Sequence, residues 1–328
     1  MKIKLLTTAL TLIGLGIASA SVYAENLRFG YASNATPTVQ AMKKFAELVE
    51  QKSKGDVTVT FFPDSQLGGE REMVELLQAG LLDMTKVSGG LMESFAPVYG
   101  VFSMPYLFDS QEHFYNVMDN PKITQPIYES SQGEGILGLT YYDSGARSFY
   151  TSDKIIRNVA DLKGLKIRVM QSPTSIKMVK MLGGSPIAMG QADVYSSIQQ
   201  GVLDGAENNE FALTIARHAE VAKHYSYDVH SRVPDIVLIS KATMVRLSPD
   251  QRKAVQEAAK ESTEFQKKAW TQAVNDAKTM SEKQFGVTFY YPDVTEFQAA
   301  VQPMYDELKS DPEKYKVYQA IRQQAESK

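Results

Sequence analysis

The chain contains no cysteine. That excludes a disulfide framework, a thiolate metal site, a cysteine nucleophile and a lipidation cysteine. Beyond the first 24 residues there is no run long and apolar enough to span a bilayer. Charge of one sign is not in excess either. The net charge is −3 over 328 residues, which argues against nucleic acid, because nucleic acid favours strongly basic faces. No low-complexity region and no fixed-period repeat occurs, and H-E-x-x-H, G-x-S-x-G and Walker A sequences are missing. Four histidines are present, and His218, His224 and His230 are six apart, so no pair shares a helix face at i, i+4. "GEGILG" (Gly133–Gly138) fits a dinucleotide fingerprint in letters only. A helical stretch precedes it and a strand follows, the reverse of what that site needs, so it reads as a helix-to-strand turn. No metal and no cofactor is expected.

What is present begins with "MKIKLLTTALTLIGLGIASASVYAEN". Lys2 and Lys4, the apolar Leu5–Ser19 and the small-x-small "VYA" form the pattern of a secretory signal peptide, cleaved after Ala24. Residues 1–24 carry two lysines and no acid, so their removal takes the net charge from −3 to −5 and leaves 304 of 328 residues. With 43% hydrophobic and 22% charged residues, that length supplies two cores without disulfides. Export without an anchor points to a free protein of the periplasm.

The mature chain alternates strands and helices. "NLRFGYAS", "DVTVTFF", "LDMTKVS", "ILGLTYYDSG" and "LKIRVM" read as strands, with amphipathic helices between several of them. The α/β alternation predicts two lobes, each a sheet covered by helices. The boundaries expected are 25–144 plus 234–273 for lobe one, and 145–233 plus 274–328 for lobe two. One segment joins them. From Ser248 as N-cap, with Pro249 next and Gln251 at the capping-box position, no Gly or Pro interrupts a helical pattern until Gly286. About 36 residues at 1.5 Å rise give ~54 Å. A lobe of ~130 residues is only about 30 Å across. Such a helix runs along both lobes, unless it is two helices broken at an unmarked kink.

Ligands of open α/β sheets bind beyond the carboxyl ends of strands. Polar residues gather there: Glu70, Arg71, Lys86 and Ser88 in the first half, Arg147, Arg168, Gln171 and Asn208 in the second. Arginine offers a planar, permanently charged fork that matches a carboxylate. Arg168, where a strand hands over to a helix, can therefore hold a small anion in the crevice. The competing reading pairs it with a structural acid or leaves it on a solvated face.

"PDSQLGGEREMVELLQAGLLDMTKVS", "FSMPYLF", "DLKGLKIRVMQSP", "GGSPIAM", "ADVYSSIQQGVLDGAENN" and "LSPDQRKAVQEAAKES" together resemble the DctP-type solute-binding proteins of TRAP transporters, across essentially the whole mature chain. The resemblance implies a two-lobed periplasmic-binding-protein architecture, a long helix across both lobes, and a monomeric receptor, not an enzyme, that docks on a sodium-coupled permease. By resemblance Arg168 binds the ligand carboxylate, Arg147 is a second cationic contact and Asn208 completes the clamp. Glu70 and Ser88 approach the ligand's polar end. Gln191 stands where the sialic-acid branch carries an aromatic. "TPTVQAM", "GGEREM", "MTKVS", "GAENN" and "SRVPDIVL" are similar to the branch taking up hexuronates such as glucuronate and galacturonate, with Asp235 accepting from sugar hydroxyls and Lys86 and Arg71 as further cleft residues. The alternatives are a C4-dicarboxylate or aldonate receptor of the same family, a secreted carboxylate-pair hydrolase of acidic sugars, and a scaffold protein.

Overall fold

A computed structural model describes residues 24–32 and 34–326. The signal segment lies outside those residues except for Ala24. Among the described residues eleven strands form two sheets: β1 (Glu25–Tyr31), β2 (Val57–Phe62), β3 (Met84–Ser88), β4 (Ile136–Tyr142), β5 (Arg147–Thr151), β6 (Lys166–Val169), β7 (Ser185–Ala188), β8 (Gly205–Asn208), β9 (His224–Ser231), β10 (Asp235–Ser240) and β11 (Thr288–Tyr290). The first sheet has the order β2-β1-β3-β10-β4, the second β11-β9-β5-β8-β6-β7. In each, helix-connected parallel strands such as β1 and β2, or β6 and β7, are joined by antiparallel ones. The chain crosses between sheets at residues 143–146 and again at 232–234. "GEGILG" is indeed a turn: Gly135 sits at φ +78° between a short 3-10 turn and β4.

A third crossing is the helix Pro249–Phe285, a single element of 37 residues with no break. At 1.5 Å per residue it is about 55 Å long. Its start follows the expected chemistry. The Ser248 hydroxyl accepts from Gln251 N–H at 3.2 Å and the Gln251 side chain accepts from Ser248 N–H at 2.9 Å, so two orphan donors of the first turn are satisfied. Gly286, at φ +67°, ends it in the left-handed conformation that residues with a Cβ avoid. Ala254, Val255, Ala258 and Ala259 pack into the core of the first sheet, against the helix Thr36–Lys52. Further along, Trp270 and Ala277 pack with Ala35 and Phe211, residues from opposite sides of the interlobe gap. In between, the helix is pinned to the first crossover. Gln266 accepts from Asp143 N–H at 3.0 Å and donates to Asp143 O at 2.8 Å, and Ser262 and Thr263 bond the hydroxyls of Tyr142 and Thr140.

The largest apolar cluster is continuous through both halves. Val87, Leu91 and Phe102 from the first share it with Phe149, Ile167 and Met178 from the second. The C-terminal helix Pro312–Glu326 contributes to the same joint, and its partners differ from the expected division. Residues 274–328 were expected in lobe two. This helix instead packs on Pro97–Ser103 and Gln111–Met118. Ile321 O meets His113 Nε2 at 3.0 Å, and Arg322 Nη1 donates to Leu107 O at 3.1 Å. An amphipathic helix at a chain end can be recruited by whichever apolar face is free, which a linear partition does not register.

Replacing Gln266 by Leu keeps the volume but leaves the buried Asp143 N–H and C=O without partners. Urea unfolding should show a loss of about 1–3 kcal/mol.

Candidate functional site

The strand β6 is short because Gly164, at φ +79°, turns the chain in before it and Pro173 opens a helix after it. Ser172 caps that helix by accepting from Ser175 N–H at 3.1 Å. Arg168 therefore stands one residue from a strand end, at the wall of a cleft of about 540 Å³ between the two sheets. All ten residues singled out from the sequence line this one cleft: Glu70, Arg71, Lys86, Ser88, Arg147, Arg168, Gln171, Gln191, Asn208 and Asp235.

Arg168 is 5% exposed. Its Nε and Nη2 donate to the carbonyl of Met189 at 3.0 and 2.8 Å. Among the described residues no carboxylate pairs with it, so the structural-acid reading does not hold. A guanidinium has five N–H groups. The Met189 carbonyl takes two, both on one edge, which leaves three, two of them on the outer Nη1/Nη2 edge. Burial lowers the Arg168 pKa, Glu207 raises it and Arg147 lowers it again, with a net downward shift. An arginine remains charged at neutral pH regardless.

Arg147, at the start of β5, is different. Its Nε and Nη2 clasp Glu207 at 2.6 and 3.1 Å, Nη2 also reaches Glu207 O at 2.8 Å, and Nη1 donates to Asn208 Oδ1 at 2.9 Å. Its charge is already matched, and one N–H remains for anything else. Glu207 in turn faces His230 Nε2 at 3.4 Å, and His230 Nδ1 meets Asp228 Oδ2 at 2.7 Å. Burial opposes ionisation of both Glu207 and His230. Arg147 outweighs it for Glu207, held at about 2, and Asp228 outweighs it for His230, pushed up to about 9. The four groups form a buried net-neutral chain. Sequence reasoning missed three of them. A glutamate inside the short strand "GAEN", next to two small residues, was the available signal. Asn208, with its oxygen committed to Arg147 and to Asn209 N–H, turns its NH₂ toward Gln191 at 3.4 Å and the cleft.

The opposite wall belongs to the first sheet. Lys86, inside β3, is 3% exposed, and its ammonium contacts Asp235 Oδ2 at 2.9 Å and Glu70 Oε1 at 3.4 Å. Register places Asp235, the first residue of β10, beside Ser88. Burial lowers the Lys86 pKa, but Asp235 and Glu70 raise it more. Ser88 N–H donates to Glu70 Oε2 at 3.2 Å, and the Ser88 hydroxyl meets Met170 Sδ at 3.1 Å across the gap. Arg71 lies over Phe95 at 5.2 Å and donates to Gln171 Oε1 at 3.4 Å, so these two residues tie the walls together. The one tryptophan of the chain, Trp270, lines the cleft at 2% exposure. Its place in the middle of the long helix, away from any strand end, hid it from sequence reasoning.

Two histidines near this site titrate in opposite senses. His230 is raised from 6.5, so its contribution to stability is complete below pH ~6.5 and is lost as pH rises through about 9. His218, its Nδ1 against Tyr150 OH at 2.7 Å, is lowered to about 4 by burial and then by Arg168. Its contribution is complete above ~6.5 and is lost as pH falls through about 4. The unfolding midpoint by calorimetry should peak between pH 6 and 7, and His230→Gln should flatten the alkaline decline.

A family model described as bacterial extracellular solute-binding protein, family 7 (DctP), matches residues 29–311. YiiZ of Salmonella typhimurium is 55% identical over 296 residues, 90% of each chain. Among solved structures, a TRAP periplasmic solute-binding protein from Anaerococcus prevotii with bound α/β-D-glucuronate is 40% identical, covers 92% of this chain and 98% of its own, and has a TM-score of 0.89. A TRAP protein from Xanthobacter autotrophicus with bound β-D-galacturonate is 35% identical, covers 90% and 98%, and has a TM-score of 0.86. A half-open guanidinium in a cleft between two sheets, on a fold shared with these solute-binding proteins over nine-tenths of the chain, leads to one assignment: the chain belongs to the DctP family of bacterial extracellular solute-binding proteins.

Proposed function

We propose that this protein is the periplasmic receptor of a TRAP-type sodium-coupled transporter and binds a monocarboxylate hexuronate such as D-glucuronate or D-galacturonate. The observation that carries the reading is Arg168, a buried guanidinium with one edge held by a backbone carbonyl and the other unused at the cleft wall. An end-on fork of this kind matches the two oxygens of a carboxylate, and charge-assisted bidentate pairs are short and strong. Arg147 and Asn208 add one N–H group each beside it. The uronates bound by the two solved relatives support the same ligand class.

The remaining assignments follow from that role. The chain is exported by its N-terminal signal peptide, cleaved after Ala24, and acts as a monomer without a cofactor or turnover. The sheets are two lobes, divided by strand membership as 25–144 plus 234–273 and 145–233 plus 274–311, with the C-terminal helix riding on the first. The ligand carboxylate docks on the second lobe, and groups of the first close on its hydroxyls in a hinge motion. The loaded form docks on the membrane permease.

Arg168→Ala should weaken uronate binding in calorimetry by about 2–5 kcal/mol, because the carboxylate would be buried without its partner. Arg168→Lys, which keeps the charge and loses the fork, should fall between. Equal affinity in wild type and Arg168→Ala would sink the assignment. In wild type, Trp270 emission should change on saturation with uronate, and the ligand should be recovered chemically intact. Cleaved products from a uronate oligomer would favour the hydrolase instead.

A further inference from the structure

The two walls of the cleft are unequal in charge. On the second-lobe side Arg147, Glu207, His230 and Asp228 cancel, and Arg168 remains as one unmatched positive charge. On the first-lobe side one ammonium, Lys86, faces two carboxylates, Asp235 and Glu70, which leaves one unit of negative charge. Arg71 and Glu72 also line that wall and cancel in sum, and Asp193, the further carboxylate of the second-lobe wall, is exposed to water. Arg71 lines the cleft, donates to Gln171 Oε1 at 3.4 Å and lies over Phe95, and Glu72 beside it carries the opposite charge. Glu72 folds back over the Gly68–Gly69 turn, its Oε2 within 2.8 Å of where a Gly69 Cβ would stand. The walls are close enough to sense each other, since Arg168 lies in the field of Glu70 and Arg147 in that of Asp235.

The trio also leaves hydrogen-bonding capacity of a particular kind. Lys86 has three N–H groups and two carboxylate contacts. Asp235 Oδ1 has no partner among the described residues, while Oδ2 is held by Lys86. A donor beside an acceptor suits a hydroxyl, which both gives and takes a hydrogen bond. A carboxylate gives none, and it would meet the excess negative charge in a site where water screens poorly.

We propose that the Lys86–Asp235–Glu70 trio is a one-carboxylate filter. It admits acids whose far end carries hydroxyls and rejects dicarboxylates, including aldarates, in which both terminal carbons are oxidised. The inference rests on the uronate reading and sharpens it: specificity comes from a repulsive element on one wall as much as from the attractive fork on the other.

Calorimetry with D-glucuronate and with the aldarate of the same carbon skeleton tests it. Wild type should bind the uronate at least tenfold more tightly. Asp235→Asn and Glu70→Gln each make the trio formally neutral, and each should narrow that ratio at least tenfold, with aldarate affinity rising. A gain of binding is a readout that damaged folding does not imitate. Wild type that holds both acids equally, or a ratio unchanged in both variants while uronate still binds, overturns the filter and leaves the receptor reading standing. Wild type that holds neither acid overturns the uronate reading and the filter with it.

Discussion

The structure turns on a cation buried without a counter-ion. Arg168 is nearly sealed from water, and the carbonyl of Met189 satisfies only one edge of its guanidinium. Burying a charge is costly unless it is paired and hydrogen-bonded. Here the field of Glu207 offsets part of that cost, and the surrounding strands hold the group in place. The remaining deficit is one that an anion placed on the open edge would remove.

The ionic groups around it divide the labour. The chain Arg147–Glu207–His230–Asp228 is neutral in sum and fully internal, so it fixes the shape of the second-sheet wall and adds no net charge to it. Removing one member would strand the others, and such buried networks are rigid for that reason. Across the gap, Lys86 on β3 holds Asp235 at the start of β10 and Glu70 at the start of the helix Glu70–Gln78. One wall is thus positive and the other negative, a polarity that suits an acid with one charged end.

The frame lets these walls face each other. Two short crossovers and the helix Pro249–Phe285 join the sheets, and Gln266 ties the middle of that helix to the first crossover. The apolar core is continuous on one side, while the cleft opens on the other, lined by Trp270 and Phe211. The C-terminal helix packs on the outside of the first half, against Pro97–Ser103 and Gln111–Met118.

Local chemistry made much of this legible. The strand–helix alternation, the capping box at Ser248, the stop at Gly286 and the turn at Gly135 are properties of a few adjacent residues, and backbone sterics and orphan hydrogen bonds act at that range. Most of the cleft-lining residues were also visible, because strand ends lie beside one another in an α/β sheet wherever they fall in the chain, while Gln191 and Asp235 came from the family resemblance. Which charges cancel was not visible. Arg147 and Arg168 look alike in the sequence. Of the two arginines, Glu207 forms its ion pair with Arg147 because β5 pairs antiparallel with β8, and Asp235 reaches Lys86 because β10 pairs with β3. The sequence by itself determined the elements, the long bridge and the polar strand ends. Tertiary structure alone decided the partner of each charge and the seat of the last helix, because Coulomb and packing energies depend on distances that sheet pairing creates and chain order does not encode.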